Sequence, residues 1–379
     1  MSINNIEVMP IDHIFKYIMG SKTKSVSTIN GKEYLYFGGA GYFQLQSHPE
    51  LIEAAAGALV KYGFACGTSR TITGTTNLLL ELEESLAAYF GTEAAAYLPS
   101  GYLSNIAGFQ ALAQLDLFDI IFIDEGSHYC NIDGALLSGK TLLKFKHLDI
   151  NDLKAKIEEN SIKKMKPLIA TDGLFPIWAE LAPVDEYLKL AEIYNGAVWV
   201  DDSHSVGILG EQGRGIFEYY GLSSDRLFMG ATLSKAFGAY GGFVTGNVSF
   251  IDQVHTGNVM TGSSSPPSSS VAAALKGLEI IRKHPELRKK LWGNAAYLKN
   301  KLGELGIQVE NNYLPIVTFA LGKKENMQEL HASLMEKGIY IQHVNYVGAG
   351  ANGVLRIVVS SEHTKEQMDY LVESLKGLI

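Results

Sequence analysis

The sequence predicts an α/β protein: a large domain built on a mostly parallel sheet covered by helices, followed by a smaller C-terminal α+β domain. Two observations predict it. Short apolar runs, each ending in a polar cluster and followed by helix-compatible sequence, recur from about residue 94 to about residue 250. Continuous apolar strands alternating with helices belong to a sheet buried on both faces. Beyond the low-complexity stretch TGSSSPPSSS at 261–270, strands and helices interleave in a shorter order, and a chain of 379 residues is long enough for a second core.

In chain order, residues 1–45 read as an N-terminal arm with an extended piece around 33–37. Ser47 and Glu50 have capping-box spacing, Pro49 sits in the first turn, and Gly63 closes the alanine-rich helix they open. A second helix spans 77–90 and stops at Gly91. Strands follow at 94–98, 120–123, 168–171, 197–200, 227–229 and 243–245, which makes 46–262 the large domain. On composition alone TGSSSPPSSS reads as a flexible linker. It opens the smaller domain, 263–379, with helices at 269–283 and 285–305 and strands at 308–310, 316–320, 339–343 and 355–359. Thr364 and Gln367 form a capping box for the last helix.

Composition excludes some classes of partner. A net charge of -8, with no long basic run, argues against nucleic acid. Cys66 and Cys130 lie far apart without CxxC spacing, which suggests neither a disulfide framework nor a zinc site and fits a reducing cytoplasm. The N-terminal stretch lacks the features of a signal peptide, and no apolar run reaches membrane-spanning length. A cytoplasmic protein is expected.

Parallel sheets bind ligands beyond the carboxyl ends of their strands. The clusters there are SGY (100–102), DEGSHY (124–129), DG (172–173), DDSH (201–204) and TLSK (232–235), so they are expected to converge on one pocket. Lys235 is the only charged residue in GATLSKAFGAYGG, 230–242. A lysine desolvated among small residues can form a Schiff base; the alternative is a solvated lysine on a glycine-rich loop. Asp201 can hold a proton on a ring nitrogen, and His204 can bond a phenolic oxygen or move protons. A metal set of Asp201, Asp202 and His204 lacks a second cluster with ligand spacing, and no metal is expected. His128 stands at another strand end, where a satisfied loop histidine is the alternative. Ser100, Gly101 and Tyr102 open a helix whose free amides suit a phosphate, although Ser100 also fits an ordinary N-cap. The glycines of GILGEQGRG (207–215) and GGAG (38–41) do not give GxGxxG between a first strand and a helix, which disfavours a nicotinamide enzyme. A phosphate site, a ring partner, an aspartate for a ring nitrogen and a reactive lysine together describe pyridoxal 5'-phosphate.

The stretches YGFACGTSRTITGT, LPSGYLSN, DEGSHYCNIDG, WVDDSHSVGILGEQGRG, ATLSKAFG and LRIVVSSEHT, in that order, resemble the α-oxoamine synthases, which are fold type I aminotransferase-like pyridoxal-phosphate enzymes. The resemblance runs from about Tyr42 to the C-terminal helix. It implies that Lys235 carries the cofactor, Asp201 faces the pyridinium nitrogen, His204 faces the phenolic oxygen and His128 stacks on the ring. These four would be the catalytic residues. Gly101 and Tyr102 would present amides to the phosphate, with the Thr232 hydroxyl beside them. Arg356 would hold the amino-acid carboxylate, a task suited to a bidentate guanidinium. The family implies a homodimer with shared active sites, in which Ser263 or a neighbouring serine of TGSSSPP reaches the partner's phosphate. The implied reaction condenses a small amino acid with an acyl thioester of coenzyme A or a carrier protein, losing carbon dioxide and giving an α-oxoamine.

The departures from the family pattern lie on the substrate side. Gly41 stands for the asparagine of NYLGL, Phe175 to Ala179 read FPIWA for FSMDG, with Pro176 in place of serine, and Ser203 replaces the alanine of VDEAH. Related chemistry, transamination or carbon-carbon cleavage, is therefore the alternative. A non-catalytic partner subunit is a third reading, against which the retention of Lys235, Asp201 and His204 speaks.

Overall fold

The computed structural model describes residues 16–160, 165–322, 324–346 and 348–379, so the first part of the expected arm, 1–15, lies outside the described residues. The arm opens with β1 (Val26–Ile29) and β2 (Lys32–Tyr36), an antiparallel hairpin. Its two-residue turn puts Asn30 and Gly31 at φ 49° and 77°, the pair of positive values that matches the twist of the strands. Helix α1 (Pro49–Tyr62) is capped by His48, whose ring accepts the Glu50 amide at 3.3 Å. This corrects the expected cap: the Ser47 hydroxyl instead donates to the Thr23 carbonyl at 2.9 Å. Gly63 closes α1 and Gly91, at φ 71°, closes α2 (Asn77–Phe90).

The large sheet follows. Its elements are β3 (Ala94–Leu98), α3 (Gly101–Gln114), β4 (Ile120–Asp124), α4 (Tyr129–Leu137), β5 (Thr141–Phe145), α5 (Ile150–Asn160), β6 (Pro167–Asp172), α6 (Val184–Ile193), β7 (Ala197–Asp201), α7 (Ile216–Tyr219), β8 (Leu227–Thr232) and β9 (Gly242–Gly246). Seven strands lie in the order β3-β9-β8-β7-β6-β4-β5, all parallel except β9, which runs against both of its neighbours. Every residue of β7 is buried, because helices cover both faces. Val198 and Val200 pack into one core layer and Ala197 and Trp199 into the other. Each of the two valines contributes about 1.5–3 kcal/mol relative to exposure.

Helices α8 (Val248–Thr256) and α9 (Asn258–Thr261) lead into the serine-rich stretch. It is not a free linker, as composition alone had it. The Ser265 amide donates to Thr68 O at 2.8 Å and the Ser268 hydroxyl to Gly63 O at 2.6 Å, so the stretch is laid against the segment after α1.

The C-terminal part comprises α10 (Ser268–Lys283), α11 (Pro285–Glu304), β10 (Ile316–Phe319), α12 (Lys324–Glu336), β11 (Ile339–Tyr340), β12 (Gln342–Val344), β13 (Val354–Val358) and α13 (Lys365–Lys376). An antiparallel sheet runs β10-β13-β12. The strand expected at 339–343 divides at Ile341: β11 pairs in parallel with β2 of the arm, and β12 pairs with β13. The strand expected at 308–310 does not form, since that stretch has no partner strand among the described residues and lines a surface cleft instead. The capping box of Thr364 and Gln367 is present on α13.

Candidate active site

Strands β6 and β7 run in register, so Asp172 and Asp201 end side by side at the carboxyl edge of the sheet. Asp201 Oδ2 accepts from Asn105 Nδ2 at 3.0 Å and from the Cys130 thiol at 3.1 Å, while Oδ1 accepts the Ser203 amide at 3.0 Å. Asp172 Oδ1 accepts the His128 amide at 3.1 Å and Asn131 Nδ2 at 2.9 Å. Behind both carboxylates the buried Trp199 indole N–H donates to Asn105 Oδ1 and Asn131 Oδ1, each at 3.0 Å. Burial, reinforced by the neighbouring charge of Asp201, pushes the Asp172 carboxyl well above its ordinary range.

Lys235 lies in the turn after β8, which is closed by Leu233 N to Gly241 O at 2.9 Å and Ala239 N to Leu233 O at 3.0 Å. Gly238, at φ 66°, comes so close to residues 45 and 46 that a Cβ would stand 2.4 Å from the Gln46 amide nitrogen. The Lys235 ammonium makes no hydrogen bond or ion pair among the described residues. Burial lowers its pKa, against the pull of Asp201 and Asp172. His204 Nδ1 and the hydroxyl of the fully buried Tyr42 are hydrogen-bonded at 2.7 Å, and burial, with the charge of Lys235, keeps the imidazole neutral by pushing its pKa well below the usual range. His128 caps α4 with Nδ1, which accepts the Cys130 amide at 3.1 Å, and its ring lies 6.0 Å from that of Tyr346. Nδ1, the Cys130 sulfur and Asp201 Oδ2 lie within 4.8 Å of one another, with the thiol proton directed to the carboxylate.

At the start of α3, Ser100 Oγ accepts the Leu103 amide at 3.2 Å, which leaves the amides of Gly101 and Tyr102 without an acceptor in the helix. A Cβ on Gly101 would lie 2.6 Å from Thr232 Cβ, so only glycine lets this helix end approach β8. The Thr232 hydroxyl faces Ser234 Oγ at 2.8 Å, and the Thr232 amide donates to Ser203 Oγ at 3.0 Å. Ser203 thus directs its hydroxyl to the backbone of the next strand. Paired amides, a hydroxyl, an acceptor-only carboxylate and an unbonded lysine fit a flat, phosphorylated heteroaromatic aldehyde.

Arg356, on β13, is 6% exposed. Its Nε donates to Pro176 O at 2.7 Å, and Nη1 donates to Gln342 Oε1 at 2.7 Å and to Gly39 O at 3.2 Å. All three acceptors are neutral, and Nη2 has no partner among the described residues. Gly41 leaves room for the Gln46 side chain, whose Nε2 would lie 2.6 Å from an added Cβ. The contacts of Ser263 do not join the cluster either: its hydroxyl donates to Val259 O at 2.5 Å.

Sequence reading missed the supporting residues Tyr42, Asn105, Asn131 and Tyr346, and gave no role to Cys130 or Asp172. Asp172 carried the signal of its strand-end cluster. Asn105 carried only its place one helical turn after Gly101, whose carbonyl its Nδ2 also bonds at 3.0 Å.

The profile of the family described as aminotransferase class I and II matches residues 39–375. Among curated relatives, an 8-amino-7-oxononanoate synthase of Alkaliphilus oremlandii is 35% identical over 362 residues, covering 95% of this chain and 91% of its own. A serine palmitoyltransferase of Sphingobacterium spiritivorum is 33% identical over 376 residues, covering 98% and 94%. The solved serine palmitoyltransferase of Sphingomonas wittichii is similar with a TM-score of 0.90 at 26% identity, over 96% of this chain and 91% of that one. A serine palmitoyltransferase solved with the PLP internal aldimine gives 0.89 at 26% identity, over 96% and 92%.

Proposed function

We propose, from the premise that this chain belongs to the aminotransferase class I and II family and within it to the α-oxoamine synthases, that it joins a small amino acid to an acyl thioester with loss of carbon dioxide and release of the thiol. Its cofactor is pyridoxal 5'-phosphate, which when bound supplies the electron sink that stabilises a carbanion at the amino-acid α-carbon.

The chain's own residues divide the work. Lys235 anchors the cofactor and, once displaced by the amino acid, takes and returns a proton at the α-carbon; burial holds its pKa down for that exchange. Asp201 holds the proton on the ring nitrogen, with Asn105 and Cys130 donating to the same oxygen so that the carboxylate cannot turn away. His204 bonds the phenolic oxygen through the ring nitrogen that Tyr42 leaves open. His128 covers one ring face. Gly101, Tyr102 and Thr232 hold the phosphate. Ser263 from a second copy of the chain adds to that cradle, in a cytoplasmic homodimer with shared sites. Exposed apolar side chains support the dimer: Phe64 and Ile72, 70% and 73% exposed, flank the segment where Ser69 bridges Ser264.

One observation carries the amino-acid half of the reading. Among the described residues the Arg356 guanidinium is buried among neutral oxygens with Nη2 unpartnered, and a buried cation without an anion is costly until a carboxylate arrives. The test mixes the cofactor-loaded protein with glycine, alanine or serine and a panel of acyl-coenzyme A esters and follows thiol release and carbon dioxide. Keto-acid exchange with no thiol release from any ester would replace this reading by transamination.

A further inference from the structure

We propose that Trp178 is the end wall of the acyl-group site and restricts the enzyme to short acyl chains, an inference that rests on the acyl-transfer reading above. Residues 174–181 form a hairpin, bridged between Leu174 and Leu181 and closed by Phe175 N to Glu180 O at 2.9 Å. Ala179 at its tip takes φ 57°, a left-handed value uncommon for a residue with a Cβ. The tip is fixed from several directions. The Pro176 carbonyl holds Arg356 Nε, the Ile177 carbonyl accepts the Thr318 hydroxyl, and the Trp178 indole N–H donates to Gly348 O at 2.9 Å.

So held, the indole stands between two spaces. On one side a cavity of about 220 Å³ opens on His128 and Asp172 and is walled by Phe175, Pro176 and Tyr346. On the other a cleft of about 880 Å³ runs along α11, where Ile307 and Val309 stand among polar residues that include Lys299, Gln308 and Glu310. Trp178 lines both, so removing its ring is expected to open the small cavity toward the cleft. The small cavity falls below the range of roughly 300–1,000 Å³ that takes drug-sized ligands, and its apolar part, formed by Phe175, Pro176, Ile177 and Trp178 beside the His147–Glu180 pair, suits a substituent of a few carbons. The amino acid is held by its carboxylate at Arg356, and the Pro176 carbonyl lies between that clamp and the cavity. The apolar part of a small amino acid is slight, so the acyl group is the occupant.

The test measures thiol release by the cofactor-loaded enzyme with a fixed small amino acid and acetyl-, butyryl-, octanoyl- or palmitoyl-coenzyme A, for wild type, Trp178→Ala and Trp178→Phe. Wild type is expected to favour the short esters. Trp178→Ala should raise the palmitoyl-to-butyryl ratio of kcat/KM by about tenfold or more, the scale on which an apolar pocket discriminates chain length. Trp178→Phe, which keeps a ring but loses the bond to Gly348 O, should keep the wild-type ranking and so separates wall from tether. Calorimetry with unreactive S-alkyl coenzyme A thioethers should give the same ranking without turnover. A wild type that prefers palmitoyl-coenzyme A, or an alanine variant with an unchanged profile, overturns the inference. So does a profile that changes only across an amino-acid panel, which would assign the cavity to the amino-acid side chain. Absence of thiol release from every ester, with amino-acid binding intact, sinks the acyl-transfer reading itself.

Discussion

Replacing Arg356 by methionine should cripple amino-acid binding while leaving the cofactor in place. The guanidinium is 6% exposed, and Nε and Nη1 are engaged by Pro176 O, Gln342 Oε1 and Gly39 O at 2.7–3.2 Å, so Nη2 is the arm left for a carboxylate. Truncating one partner of a buried, hydrogen-bonded charge pair costs about 2–5 kcal/mol. At about 1.4 kcal/mol per tenfold, the amino-acid dissociation constant should rise between about 30-fold and a few thousand-fold. Arg356→Lys should fall between, because an ammonium keeps the charge but cannot serve the directions of Nε, Nη1 and Nη2 together. The three orphaned acceptors will lower stability by roughly 1–3 kcal/mol each at most, so melting temperature must be recorded beside binding. The assay is a titration of the visible cofactor band with amino acid, with KM for the acyl thioester measured in parallel. A methionine variant that keeps its band and binds amino acid within about threefold of wild type, a difference under 1 kcal/mol, would refute the clamp.

Lys235→Ala should show no visible band and nothing for hydride to reduce, yet be at least as stable as cofactor-free wild type, since it removes a buried ammonium that bonds nothing among the described residues. Asp201→Asn should keep the band but lose about 100-fold or more in kcat, the loss typical when a preorganised electrostatic partner is neutralised. His147 offers a pH test. Burial pulls its imidazole down, but its hydrogen bonds to the Asp124 and Glu180 carboxylates outweigh that and hold it at about 10 against an ordinary 6.5. A folded pKa raised this way gives stability that is complete below pH 6.5 and is lost as pH rises through 10. Urea unfolding of wild type and His147→Gln should therefore differ most at low pH and converge toward pH 10; a gap independent of pH would show that the imidazolium contributes nothing.

The apolar runs that became β3, β4, β6, β7 and β8 were legible because both of their faces are buried, which leaves no polar interruption. β5 was not, because at the sheet edge TLLKF is half exposed and carries Lys144. The reversed direction of β9 lay in the short connection from Thr232 to Gly242, which leaves no room for a parallel crossover. At 308–310 local composition suggested a strand that only a partner could have stabilised. The charged groups of the site could be read because strand ends converge by topology. Tyr42, Asn105 and Cys130 could not, since they come from a loop, a buried helix face and a helix start that no spacing rule ties to β7.

The forked hydrogen bond from Trp199 gives the site a fixed polarity. An indole N–H can only donate, so the atoms facing it on Asn105 and Asn131 must be their carbonyl oxygens. Each amide is thereby locked against a half-turn, and both NH2 groups are compelled toward the carboxylates of Asp201 and Asp172. One fully buried ring on the far side of the sheet thus decides, without touching any reactant, that these aspartates meet donors and never acceptors from behind. Charge at the strand ends is settled by handedness in the core: the tryptophan works as a compass for two side chains that could otherwise point either way.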